Sequence, residues 1–180
     1  MRVLMFGWEF PPHIAGGLGT ACYGMTRGLA ENGVEVLFVM PSASGDEDQS
    51  SVRIINASDV AVDTMSETVD EFLGKVRFVH VGTNMVPYVS PEDFSSVVEE
   101  ERARQIKDFR ITYGQKYQFS GKYGTNLMEE VARYGMVGGT IALQHCDEFD
   151  VIHAHDWLTY LAGIAAKQLT GKPLVVHVHA

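Results

Sequence analysis

The sequence predicts an α/β domain built on an open, mainly parallel sheet with helices on both faces. Three observations carry this expectation. Short apolar runs at residues 3–6, 34–39, 151–153 and 174–179 have the continuous hydrophobicity of strands buried on both faces. Between them, residues 18–29 and 158–169 place apolar side chains at helical spacing, so strands and helices alternate. The 180 residues are 46% hydrophobic and 21% charged, which suits one two- or three-layer core and excludes a disordered chain.

Each element has a local reason. Gly7 closes the first run, and residues 7–17 read as a loop because Pro11-Pro12 forbids regular structure and Gly16-Gly17 frees the backbone. Leu18, Cys22, Met25 and Leu29 mark one helix face, with Gly33 where a C-cap belongs. Pro41 stops the next strand, and residues 43–51 form a polar, acidic loop. Residues 52–55 and 76–81 read as strands, separated by a segment of partial helical character, and Glu99-Glu100-Glu101-Arg102 sits in a solvated, charged helix. Tyr113, Tyr117, Phe119 and Tyr123, interleaved with glycines, follow no regular period.

Towards the end the pattern sharpens. Leu127, Val131, Tyr134, Gly138 and Ile141 predict a long helix with a narrow buried face. Leu158, Leu161, Ala162, Ala165 and Leu169 predict another, closed by Gly171-Lys172-Pro173 ahead of the last strand. No repeat or interdomain linker interrupts the chain, so residues 1–180 read as a single domain. A chain ending on a buried strand is expected to be a piece of something longer.

Fourteen Lys plus Arg against twenty-three Asp plus Glu give a net charge of −9, which argues against a nucleic-acid coat or a binder of anionic membranes. No apolar run approaches the ~20 residues of a membrane span or forms a signal-peptide core. The two cysteines, Cys22 and Cys146, are too few for a disulfide scaffold, and the expected location is cytoplasmic.

The residues with chemistry cluster at three predicted strand ends, where ligands bind in open α/β sheets. Gly16-Gly17-Leu18-Gly19 opens a helix, where backbone N–H groups and the helix dipole attract an anion; a tight turn alone explains the glycines equally well. The dinucleotide pattern fails, because Cys22 stands where its third glycine belongs and the second strand ends in Met40-Pro41. In His153-Ala154-His155-Asp156-Trp157 the two histidines share a strand face. Asp156 suits an N-cap or a pocket carboxylate, and Trp157 suits the core or the face of a sugar ring. His177 and His179 repeat the pattern, so four imidazoles with Asp156 raise a metal site as an alternative.

Together these strings resemble the N-terminal, acceptor-side half of a GT-B retaining glycosyltransferase, nearest to the glycogen and starch synthases. The resemblance rests on residues 3–12, Gly16-Gly17-Leu18-Gly19, residues 29–36, residues 150–157 and residues 172–179, and weakens from about 43 to 125. It implies a Rossmann-like domain whose partner, a C-terminal nucleotide-binding half, is absent from residues 1–180. It further implies transfer of a glucosyl unit from ADP- or UDP-glucose to an α-glucan. Gly16 and Gly17 would meet the donor's phosphate and sugar, with His179 and Asp156 catalytic at the reacting centre and His155 and Trp157 near the sugar. No metal or other cofactor is expected. One departure is Ile14, which stands where synthases usually carry a phosphate-binding lysine. The alternatives are a related retaining transferase with another donor and acceptor, a sugar-nucleotide epimerase, a metal-dependent hydrolase using the two H-x-H pairs, and a non-catalytic sugar-binding module.

Overall fold

A computed structural model describes residues 1–62 and 114–179. The strand expected at 76–81, the charged helix near Glu99 and the aromatic Tyr113 lie outside the described residues. Within them, β1 (Arg2–Phe6), β2 (Glu35–Met40), β3 (Arg53–Asn56), β4 (Val151–His155) and β5 (Leu174–His177) form an all-parallel sheet in the order β3-β2-β1-β4-β5. This is the predicted α/β architecture. The chain moves outward from β1 to one side, then returns to build the other, so the order reverses between β1 and β4.

Helices α1 (Gly17–Glu31), α2 (Leu127–Gln144) and α3 (Trp157–Thr170) cover the two faces. The period-two alternation of the strands divides the core between them. Val3, Met5, Val36 and Phe38 face α1 together with Phe10 and Cys22. Leu4, Phe6, Leu37, Val39 and Ile152 face the other way, against α2 and α3. Crossovers in opposite directions from the centre put α1 and α3 on opposite faces, as right-handed connections require.

The α1 stripe ends as expected, with Asn32 at the C-cap and Gly33 in the left-handed region at φ 71°. Helix α2 departs from expectation, for every residue from Tyr134 to Ala142 is buried, not a narrow face alone. The reason lies in its glycines. A Cβ on Gly138 would come 2.7 Å from Ala162 Cβ and 3.1 Å from Phe6, and one on Gly135 would come 3.0 Å from Leu161 Cβ. Small residues let α2 lie close against α3 and the sheet at once. Tyr117 and Phe119, which follow no period, are buried at 8% and 6% exposure, Phe119 edge-on to Tyr134 at 6.1 Å.

At the amino ends of the strands the chain is tied by polar contacts. Arg2 and Asp150 pair at 3.4 Å, Arg53 and Glu148 at 2.7 Å. Lys172 donates to the carbonyls of Cys146 and Phe149 and lies over the Phe149 ring. The carboxyl ends carry the functional candidates.

Candidate functional site

Register brings the three expected segments together. Phe6 of β1 lies beside Ala154 of β4, and His155 of β4 beside His177 of β5. The loop after β1, the turn after β4 and the end of β5 therefore share one rim, with the β1/β4 switch point at its centre. That is where ligands of open α/β sheets bind.

The β1 loop is held from below. Trp8 and Phe10 are 1% and 0% exposed, Trp8 edge-on to Tyr134 at 5.7 Å and Phe10 against Phe38 at 4.7 Å. The Tyr134 hydroxyl shares its one proton between the carbonyls of Gly7 and Val39, at 3.0 and 2.8 Å. Between the two aromatics, Glu9 is also buried, 4% exposed. A buried carboxylate needs donors, and the backbone supplies them. The amides of Ala15, Gly16 and Gly19 donate to Glu9 at 2.7, 3.2 and 3.1 Å. Gly16, the N-cap, has no side chain to cap α1, so Glu9 does so from across the loop.

This finding changes the reading of the glycines. The Gly16 amide, expected to meet a phosphate, is already engaged by Glu9. Gly19 is required by packing, because a Cβ there would lie 2.4 Å from Ile14 and 3.0 Å from Glu9. Gly17 is different. It is exposed and negative in φ, and an added Cβ would meet nothing within 4 Å. Neither conformation nor packing among the described residues demands glycine at 17.

The turn after β4 is strained. Asp156 has φ 60° and ψ 168°, the one non-glycine residue of positive φ among those described. This region belongs almost solely to glycine and costs ~1–3 kcal/mol in other residues. Neighbours impose it. The Asp156 amide donates to the His177 carbonyl at 2.8 Å, and its own carbonyl accepts from Thr159 N at 3.0 Å and Thr159 Oγ1 at 3.2 Å. Asp156 stands at the N-cap position of α3, yet its side chain makes no capping hydrogen bond. The N-cap explanation therefore does not account for its carboxylate. Trp157 follows with 37% exposure.

Beside this turn the four histidines form one cluster on the α1 side of the sheet. Rings of His153 and His177 stack at 5.7 Å with 6° between planes, those of His177 and His179 at 4.3 Å with 15°. His155 is fully buried, and its Nδ1 shares a hydrogen bond with His179 Nε2 at 2.9 Å. His179 stays half-buried beyond the end of β5, which stops at His177, two residues before the predicted end. Burial, then the neighbouring imidazoles, hold His153 down to about 4 and His155 down to about 3. His179 is lowered by burial and by His177, an effect the Asp156 charge partly offsets.

The structure thus gathers Gly16, Gly17, Asp156, Trp157, His155 and His179 at one rim, with His155 behind His179. Sequence reasoning gave Glu9 no role; the signal was a carboxylate set between Trp8 and Phe10 just after a buried strand.

A doubly wound parallel sheet with a glycine-opened helix and a strained aspartate at its switch point, and a histidine beside them, defines an α/β domain of the Rossmann-like class. The chain belongs to the starch synthase catalytic domain family, whose family model matches residues 2–180. Over its whole length it is 24% identical to an uncharacterised glycosyltransferase of Methanocaldococcus jannaschii. It is 25% identical to the glycogen synthase of Mycobacterium tuberculosis, again over its whole length. The chain spans 31% and 34% of those two relatives, about a third of each. Among the described residues no helix is long and apolar enough to cross a membrane.

Proposed function

We propose that this chain is the acceptor-side domain of a retaining glycosyltransferase that moves a glucosyl unit from ADP- or UDP-glucose to an α-glucan. The observation that carries it is the strained Asp156, held at the switch point of a starch-synthase-family domain beside His179 and the opening of α1.

In the reaction, the bond from the anomeric carbon to the diphosphate breaks and its electron pair leaves on the phosphate. The acceptor hydroxyl bonds that carbon from the face the diphosphate leaves and gives its proton to the departing phosphate oxygen. Positive charge grows on the ring and negative charge on the leaving group. The amino end of α1, with Gly17 outermost, faces the phosphate side, the logic of preorganised donors at a developing oxyanion. Glu9 puts a negative charge at that same helix end, so the chain itself supplies little net attraction for a diphosphate. The cations must come from a second, nucleotide-binding half. Asp156 and His179 orient the donor sugar and stabilise its cationic face, and His155 holds the His179 ring through their shared hydrogen bond. Trp157 offers an exposed flat face to a sugar. This reaction needs no catalytic metal once the diphosphate is neutralised.

The test is a titration of the chain with maltoheptaose, ADP-glucose and UDP-glucose, followed by NMR at the Gly16 and Gly17 amides and the Trp157 indole. Shifts confined to the rim support the assignment. Gly17→Ala should leave the melting temperature of the chain unchanged or slightly raised, yet weaken donor binding by the complete enzyme at least tenfold. The chain alone should transfer nothing; measurable turnover by it would contradict a site shared between two halves.

A further inference from the structure

The histidine cluster contains more than the transferase reading uses. One ring nitrogen from each of His153, His155 and His177 lies within 4.8 Å of the other two. Two further facts point to a ligand. The Nε2 atoms of His153 and His155 are both buried, and neither has a hydrogen-bond partner among the described residues. His155 is fully buried, so this is an unpartnered polar atom in the interior and not a solvated surface group. Burial without a partner costs ~1–3 kcal/mol for each such atom, a penalty that a bound cation removes.

We propose that His153, His155 and His177 form a binding site for a divalent transition-metal ion of the zinc class. Imidazole suits Zn²⁺, Ni²⁺ and Cu²⁺, and the group holds no carboxylate that would favour Mg²⁺ or Ca²⁺. Zn–N bonds of ~2.05 Å in a tetrahedron need nitrogens roughly 3.3 Å apart, so the rings close inward by rotation about their side-chain bonds. Two ligands come from β4 and one from the paired position of β5, on a frame of parallel-strand hydrogen bonds. A fourth position is left to water. Bound there, the ion pins the end of β5 to β4 next to His179. The proposal departs from the sequence expectation of no metal and does not rest on glycosyl transfer.

The experiment strips the purified chain with a chelator and titrates it with Zn²⁺ against a chromophoric competitor, then repeats it with Co²⁺, whose visible spectrum reports coordination. One ion per chain is expected, with a Co²⁺ spectrum of four- or five-coordinate nitrogen ligation. His153→Gln and His177→Gln should each weaken binding at least tenfold, while His13→Gln and His145→Gln, which pair elsewhere with Asp46 and Glu148, leave it unchanged. Binding that survives in the His153→Gln/His177→Gln double variant overturns the proposal, as does failure of the parent chain to compete at all. If the double variant does not fold, ¹⁵N-imidazole NMR of the parent chain decides. Zn²⁺ must move the ring resonances of His153, His155 and His177, and resonances left in place reject the site.

Discussion

Replacing Glu9 by alanine tests how the rim is held. The carboxylate takes three amide protons at 2.7, 3.2 and 3.1 Å while only 4% exposed, and it stands in for the missing N-cap side chain of α1. In Glu9→Ala the amides of Ala15 and Gly16 reach water, since these residues are exposed and half-buried. That of Gly19 is buried and does not. An unsatisfied buried amide costs ~1–3 kcal/mol, and loss of a helix cap adds ~1 kcal/mol. The variant should therefore be less stable by roughly 3 kcal/mol. At ~2–4 °C per kcal/mol for a chain of this size, the melting temperature should fall by about 6–12 °C. Glu9→Gln keeps the volume and one acceptor oxygen but turns an NH₂ group towards an amide, so about half that loss is expected. Thermal melts followed by circular dichroism give the shifts, and hydrogen exchange at the Gly19 amide gives the mechanism. A fall of under 3 °C for Glu9→Ala, with Gly19 exchange unchanged, would refute the claim that this carboxylate holds the loop.

Asp156→Gly relieves the strain of φ 60° while deleting the carboxylate, so the variant should melt about 2–4 °C higher and, in the complete enzyme, lose transfer; a lower melting temperature would mean that the carboxylate itself stabilises the turn. His153 and His155 titrate near 4 and 3 when folded and near 6.5 when unfolded, so only the unfolded chain takes up their protons as pH falls between. No penalty applies above pH 6.5, where both states are neutral at these rings, and stability falls from there towards pH 3; the slope of the urea midpoint over that window should flatten in His155→Phe, and equal slopes would remove these residues as the cause. Gly138→Ala pushes a methyl group to 2.7 Å from Ala162 Cβ and should destabilise by ~1–3 kcal/mol. Gly24→Ala on α1 meets nothing within 4 Å and should stabilise by ~0.5–1 kcal/mol; the opposite order in a urea series would reverse the account of the α2–α3 seam.

How much of this was legible follows from the range of each force. Strand and helix positions rest on local periodicity, and the runs at 3–6, 34–39 and 151–153 recur in β1, β2 and β4 within a residue or two. Period two put His153 and His155 on one face, and likewise His177 and His179. It could not say that β5 would pair with β4 in the register that sets His155 beside His177. That register belongs to two strands joined through α3, so the four imidazoles could be grouped from sequence but their exact pairing was not local information. The burial of α2 was hidden for a related reason, since Gly135 and Gly138 carry no hydrophobic signal and matter only through what they allow to approach. Glu9 was illegible because its three partners lie six to ten residues away on an irregular loop. Asp156 was legible as a candidate, but its strain was not, for nothing in an aspartate announces a positive φ.

The ties at the amino ends of the strands have a consequence for variation. Strand β1 is five residues long, which at ~3.3 Å per residue separates the Arg2–Asp150 and Lys172 contacts from the Gly17 and Asp156 rim by about 16 Å. Substitutions more than ~7–10 Å apart with no shared partner act nearly additively. Changes at the two poles of this sheet therefore combine nearly additively in stability. An alteration at the rim that weakens the fold can be offset by strengthening the opposite pole, leaving the chemistry untouched, and the specificity of the rim is free to drift while the foundation of the domain stays fixed.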